Sequence, residues 1–346
     1  METLDLPQTT LEWLLDDDNP PVRNLTKKHL LNQNPTDSEI QQINDYPPIK
    51  KILSLMNPNG SWSDPTKPYR KYVGSYWQFI FLCDLNANPM TDYISKAAEH
   101  IFSYQLPNGD FPHELRLKKG IICLTANLLR SLIHFGYEED PRVQNGIKLV
   151  TRHIIDNQGV FCFDQLGSLL PDCQMALTKV LAMYVCMTRQ NLQNQTAIEI
   201  IEKKIVENRV LYYVPKGSTE YQKAIKGKKV TEVRQIKAQM QKQSEKLKKT
   251  EIKSSWKRFG FPHSYTSDTL ETMYWLAMNN SQYHEEFKEA LELVIKRMDP
   301  SGYWINENKF RNPMLVEIEP KKTPSKWLTF RACYILRKYW NLRFQD

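Results

Sequence analysis

The chain has 346 residues, is 41% hydrophobic and carries a formal net charge of +8, which is enough apolar content for a substantial core and excludes global disorder. No stretch approaches the roughly 20 apolar residues that span a bilayer, and the start METLDLPQTT lacks a basic segment followed by an apolar one, so a cytoplasmic protein is expected. The charge does not indicate nucleic-acid binding by the body of the protein: 11 basic and 3 acidic residues fall between Lys223 and Lys253, and removing them from the 47 basic and 39 acidic residues leaves 36 of each.

The chain opens with short helical stretches around Leu11 to Asp16, Val22 to Leu31 and Ile49 to Met56. A turn pattern, MNPNGSW (Met56 to Trp62), follows them. The next helices, Ser75 to Leu85 and Thr91 to Tyr104, lead to a second copy, QLPNGDF (Gln105 to Phe111). Lys119 to Phe135 carries Ile122, Leu124, Leu128, Leu129, Leu132 and Ile133 at helical spacing and stops at Gly136, a C-terminal cap. Asp140 to Asn157 begins with Asp-Pro and is amphipathic, with Val143, Ile147, Val150 and Ile154 on one side. A third turn, IDNQGVF (Ile155 to Phe161), precedes helices at Asp172 to Met187 and Thr196 to Glu207. After a polar, basic stretch come Asp268 to Met278, Glu285 to Met298, a fourth turn MDPSGYW (Met298 to Trp304), and a last helix from Trp327 to Trp340.

Each turn reads Gly-x-aromatic, with glycines at 60, 109, 159 and 302. Intervals of 49 and 50 residues signal a repeated supersecondary unit. Residues 217 to 254 break the period; deleting them shortens the last interval from 143 to 105, about two further periods, with RVLYYVPKG near Arg209 as a degenerate fifth turn. The first helix of each pair is apolar nearly all round and should be enclosed, whereas the second is amphipathic and should face water. A hairpin of this size cannot bury its apolar face alone, so hairpins must stack. The expected fold is all-α: one domain over residues 1–346, with hairpins closed into a double-layered α/α toroid. Residues 1–55 supply N-terminal helices and 217–254 form a basic insertion. An open superhelix is the alternative closure.

The four turns resemble the QW motifs of squalene and oxidosqualene cyclases, Q-x-x-x-G-x-W, with QLPNGDF matching except for Phe in place of Trp. CLTANLLRSL (Cys123 to Leu132), FGFPHSYTSDTLETMYWL (Phe259 to Leu276) and PSKWLTFRACYIL (Pro324 to Leu336) resemble uncharacterised members of the prenyltransferase and squalene-cyclase superfamily. The resemblance covers most of the chain outside 217 to 254. It implies an α/α toroid enclosing a cavity for an isoprenoid or another hydrophobic ligand. The D-x-D-D acid motif of squalene cyclases and the D-D-x-x-D diphosphate signature are both missing, so the activity implied is cyclase-like or prenyltransferase-like chemistry without those motifs.

Superposing the inner helices by the repeat puts Ser75, Thr125, Met175, Asp268 and Thr329 at one level, where helix N-termini favour anions. The expected cavity lining is Tyr76, Trp77, Cys123, Thr125, Asn127, Cys173, His263, Tyr265, Trp327 and Thr329. Asp268 is the candidate proton donor, with a helix N-cap as its plainer role. Arg331, with Lys326 nearby, could hold a phosphate or carboxylate, or else serve as a cap or ion pair with a neighbour such as Asp268. Tyr76, Trp77, Tyr265 and Trp327 could stabilise a cation.

The resemblance to protein prenyltransferase β-subunits raises a zinc set of Asp172, Cys173 and His263. Adjacent Asp and Cys depart from that family's spacing and point about 100° apart in a helix, and a packed cysteine with a surface histidine is the plainer reading. Six cysteines without C-x-x-C spacing argue against a disulfide framework. The functional readings that follow are a cyclase-like or prenyltransferase-like protein for a hydrophobic ligand, a non-catalytic toroid scaffold for a protein or peptide, and a zinc-dependent thiol-alkylating enzyme. The basic segment 223–253 lacks aromatic stacking residues, which disfavours nucleic acid; contact with a membrane surface or an acidic partner, or a solvated helix, are its readings.

Overall fold

The computed structural model describes residues 3–89, 91–160, 162–163, 169–170, 173–212, 227–229, 231–233, 235–236, 255–263, 266–307 and 313–345. The fold is all-α apart from two small ladders. Its elements are β1 (Leu4–Pro7), α1 (Gln8–Leu15), α2 (Pro20–Leu30), α3 (Asp37–Gln41), a 3-10 turn (Gln42–Asp45) and α4 (Pro47–Ser54). They continue with α5 (Ser75–Asp84), α6 (Asp92–Phe102), α7 (Ile122–His134) and α8 (Pro141–Asn157). The short hairpin β2 (Cys162–Phe163) and β3 (Leu169–Leu170) precedes α9 (Gln174–Val185) and α10 (Leu192–Glu207). The last elements are α11 (Thr269–Met278), α12 (Lys288–Lys296), α13 (Lys326–Tyr339) and β4 (Leu342–Gln345).

Burial separates the helices as their patterns require. All ten residues of α5 are buried, as is α11 from Thr269 to Ala277. In contrast α6 buries one stripe, Ile94, Ala97, Ala98, Ile101 and Phe102, and α8 buries Val143, Gly146, Ile147, Val150, Thr151 and Ile154. The spacing of three and four residues puts each set on one helix face. The inner helices pack in series, α5 on α7, α7 on α9, α9 on α11, α11 on α13, and α13 on α2. From α2, contacts run through the 3-10 turn to α4 and on to α5.

Two local features differ from the sequence expectation. Helix α10 begins earlier, at Leu192, because the Asn191 side chain accepts the Asn194 N–H as a cap. A further short helix, α3, is set by a capping box in which Thr36 and Glu39 satisfy each other's backbone groups.

The turns do the clamping expected of them, in a specific way. The backbone N–H of Trp62 donates to Ser75 Oγ (3.0 Å), that of Phe111 to Thr125 Oγ1 (3.2 Å), and that of Trp304 to Thr329 Oγ1 (3.1 Å). Each hydroxyl lies on the first residues of the following inner helix. The indole N–H groups of Trp62 and Trp304 reach back to the carbonyls of Ile52 and Val294, both at 2.8 Å, on the preceding outer helices α4 and α12. One aromatic thus ties three successive elements. The glycines hold left-handed backbone, φ +91° at Gly109, where a Cβ would lie 2.5 Å from the Gly146 nitrogen of α8. At Gly302 (φ +85°) the same atom would meet Thr10 of α1 at 2.8 Å. The last turn therefore rests on the N-terminal helix.

Of the degenerate fifth turn expected near Arg209, the residues up to Tyr212 are described, ahead of the expected basic insertion. Arg209 and Val210 take φ of +47° and +61° before it. After it, Thr269 Oγ1 donates to the carbonyl of Trp256 at 3.1 Å, at the same 13-residue separation as Ser75 and Trp62. The termini meet in a parallel ladder, with Leu4 opposite Leu342 and Pro7 opposite Gln345. Neither strand was legible as a strand, because four residues with a proline carry too little alternation. Among the described residues, no helix is long and apolar enough to cross a membrane.

Candidate functional site

A cavity of about 730 Å³ lies among the inner helices, within the range of small-molecule sites. It is walled by the C-terminal ends of α5 (Cys83, Asp84), α7 (Arg130, His134), α9 (Val185, Cys186) and α11 (Tyr274, Trp275, Met278). The first turns of α13 (Trp327, Phe330, Arg331), the middle of α2 (Asn24, Leu25, Lys28, His29), Ile40 and Ile43 add to the wall, as do Asn34, Pro35, Asn86, Ala87, Asn88, Pro89, Ile133 and Thr188. The wall therefore draws mainly on the opposite ends of the inner helices from the level that repeat superposition pointed to. Of the expected lining residues, Trp327 is part of it, and Arg331 joins it there.

The other expected lining residues are spent on packing. Thr125 and Thr329 hold the turns, as described above. Tyr76 donates its hydroxyl to the Pro112 carbonyl (3.2 Å), and Trp77 donates its indole N–H to the Tyr69 carbonyl (3.0 Å). Cys123 is half-buried and Cys173 is buried. Asn127 is buried on α7. None of these six polar and aromatic residues nor Asn127 touches the cavity wall. Tyr265 and Asp172 lie outside the described residues, as does most of the basic insertion.

Asp268 takes its plainer role. It caps α11, its Oδ1 accepting the Glu271 N–H at 2.8 Å, while Oδ2 accepts the Gly260 N–H at 3.0 Å. The same Oδ2 lies 3.1 Å from His263 Nε2. Arg331 donates from Nη1 to His263 Nδ1 at 2.9 Å, so that nitrogen must be bare. The other ring nitrogen, Nε2, faces Asp268, and the whole ring is buried rather than at the surface. The series Arg331, His263, Asp268 runs from the cavity wall back into the start of α11. Behind it, Lys179 pairs with Glu271 at 2.6 and 2.8 Å, both residues buried, and Ser267 donates to the same carboxylate.

This arrangement does not suit a zinc ion. Both ring nitrogens of His263 are engaged, so ligation would break one of those bonds. Among the described residues no group of three or more His, Cys, Asp and Glu side chains could hold a metal.

The cavity wall itself mixes rings and charge. Arg130 pairs with Asp84, both side chains buried, and its guanidinium lies 5.6 Å from the Trp275 ring. Arg331 sits over the rings of Phe261 (5.1 Å) and Tyr274 (5.0 Å), and Phe261 stacks on Trp327 at 4.5 Å and 9°. Burial lowers His134 to about 4, and burial with Lys28 beside it lowers His29 to about 4, so both imidazoles are neutral at physiological pH. Burial pushes the Cys83 thiol up to about 11 and Cys186 to about 12, which leaves them unreactive. Lys326, a candidate anion ligand by sequence, turns away instead. It pairs with Asp16 and Asp18 from the acidic run after α1.

The sequence could not indicate these partners, because Asp84 and Arg130 are 46 residues apart and His263 and Arg331 are 68 apart. Tyr274, Trp275 and Phe330 were visible only as apolar helix residues, with no local sign that they face a void.

No known protein family matches the chain in sequence, and no curated protein matches it. Among solved structures, it is similar to the type II terpene cyclase MstE from Scytonema in complex with merosterolic acid A, the product. That likeness has 15% identity and a TM-score of 0.35, over 86% of this chain and 97% of that one. A structure of the same cyclase with geranylgeranyl dihydroxybenzoate, its substrate, gives 13% identity and a TM-score of 0.35 over the same shares. Likeness at that level is too loose to transfer either fold or chemistry.

Proposed function

We propose that the chain is a closed α/α toroid whose central cavity binds an isoprenoid or a comparable hydrophobic molecule. The inner layer is α2, α5, α7, α9, α11 and α13. The outer layer is α4, α6, α8, α10, α12 and, completing the last pair, α1. Supporting closure are the unbroken series of inner-helix contacts, the parallel ladder of the two termini, and the seat of the Gly302 turn on α1.

The observation that carries the binding reading is the aromatic wall formed by Tyr274, Trp275, Trp327 and Phe330 around a cavity of about 730 Å³. Rings contributed by two adjacent inner helices offer large apolar area at fixed positions. Acid-initiated cyclisation asks more. It needs a carboxylic acid on the wall that is free to give up a proton. Among the described lining residues the one carboxylate is Asp84, which Arg130 holds, while Asp268 lies behind the wall. Ligand binding is therefore the conclusion, and the aromatic groups are its recognition surface.

The test is thermal unfolding with farnesol, geranylgeraniol, longer polyprenols and prenyl diphosphates. A ligand at 100 times its Kd stabilises by about 2.7 kcal/mol, which raises Tm by several degrees. A Trp275→Ala variant should lose most of that rise while remaining folded. If no member of the panel shifts Tm, and native mass spectrometry finds no co-purified lipid, the protein is a scaffold rather than a ligand carrier.

A further inference from the structure

We infer that the cavity selects a monoanion, an apolar molecule ending in a single carboxylate, with Arg331 as its counter-ion. This deepens the reading of the cavity as a ligand site and rests on it. The starting point is a comparison of the buried cations. Arg23, Arg130, Lys179, Lys326 and Arg331 are each buried. Arg23 pairs with Asp17, Arg130 with Asp84, Lys179 with Glu271, and Lys326 with Asp16 and Asp18. Arg331 alone has no carboxylate in ion-pair range among the described residues. Its bonded neighbour is the imidazole of His263.

A buried, uncompensated guanidinium is expensive. Asp268 offsets it only through His263. Glu319 is raised to about 8 by burial, and its carboxyl is engaged with Ser325 rather than paired with Arg331. Arg331 also faces the cavity, and with Nη1 given to His263 its Nη2 and Nε have no hydrogen-bond partner among the described residues. That free edge is the fork that fits a carboxylate with two parallel hydrogen bonds.

Charge counting then decides which anion. Arg130 is already neutralised by Asp84. His29 and His134 are uncharged, and Lys28 is exposed at the rim, where water screens it. The wall therefore offers one uncompensated positive charge. A carboxylate matches it. A diphosphate would bring more negative charge than the wall can neutralise and leave the excess desolvated. The aromatic rings of Tyr274, Trp327 and Phe330 adjoin Arg331 on the wall, placing apolar surface next to the charged end.

Isothermal titration of the full chain at neutral pH with farnesoic acid, farnesol and farnesyl diphosphate tests this, with geranoic and geranylgeranoic acids as length variants. The acid should bind roughly 10- to 100-fold more tightly than the alcohol, the range for one charge-assisted contact, and more tightly than the diphosphate. Arg331→Gln should bring the acid down to the affinity of the alcohol, with circular dichroism and the unfolding midpoint reporting an intact fold. Arg331→Lys should retain part of the preference. Equal binding of acid and alcohol, or tightest binding of the diphosphate, overturns the monoanion inference and leaves the hydrophobic cavity standing. If neither the acids nor farnesol bind, the cavity reading fails and the inference falls with it.

Discussion

At the scale of single residues, the molecule is marked by charges placed in its interior and by how each is answered. Lys179 and Glu271 join α9 to α11 with both side chains buried, 2% and 4% exposed. Removing one member of such a pair strands the other without solvent. Lys179→Met should therefore cost about 3 to 5 kcal/mol, measured by urea unfolding. The double variant Lys179→Met with Glu271→Leu should recover most of that loss, because two apolar side chains can replace a buried pair at little cost. A single variant that proves nearly neutral would mean that water reaches the pair. None of this pairing could be foreseen from composition, since Lys179 and Glu271 stand 92 residues apart and each sits in an otherwise apolar helix.

At the scale of elements, the repeating turn was legible and its chemistry only partly so. Glycine followed two residues later by an aromatic announces a tight turn and a packing ring, both local properties. The receiving hydroxyls of Ser75, Thr125 and Thr329 share one level in the superposed repeats, and each accepts a backbone N–H from a turn, whereas the sequence reading set Thr125 and Thr329 in the cavity lining. A hydroxyl at an inner helix start looks the same in sequence whether it faces a ligand or a backbone N–H, and the distinction depends on packing between repeats. Trp256 shows the same limit, because the insertion separates it from the turn it completes. Two glycines allow the close approach at the turn to be measured. Gly109 (φ +91°) has the α8 backbone 2.5 Å from a notional Cβ, whereas Gly136 (φ +90°) has nothing within 4 Å. Gly136→Ala should cost about 1 to 2 kcal/mol, the left-handed penalty alone. Gly109→Ala adds a clash with backbone and should cost about 2 to 5 kcal/mol in total. Equal losses in thermal or urea unfolding would show that the turn does not need to touch α8.

At the scale of the whole molecule, the ends of the chain are neighbours. Asp5 lies opposite Arg343 in the β1–β4 ladder, and both are exposed. Replacing both with cysteine should permit a bond that closes nearly the entire chain into one loop. The chain-entropy account gives about 6 kcal/mol for so long a loop, so the oxidised variant should melt well above its reduced form. No difference on reduction would count against a closed ring and in favour of an open stack of hairpins. The seat of the Gly302 turn on Thr10 carries a further consequence, which concerns time. Helix α1 leaves the ribosome well ahead of the turn and inner helix that complete its pair, because Thr10 and Gly302 are nearly 300 residues apart in the chain. At elongation rates of roughly 5 to 20 residues per second, α1 waits on the order of 20 to 70 seconds for that partner. During this interval Leu11 and Leu14, buried in the finished fold, have no final resting place, and the nascent chain is a candidate client for a chaperone that holds short apolar helices until synthesis ends.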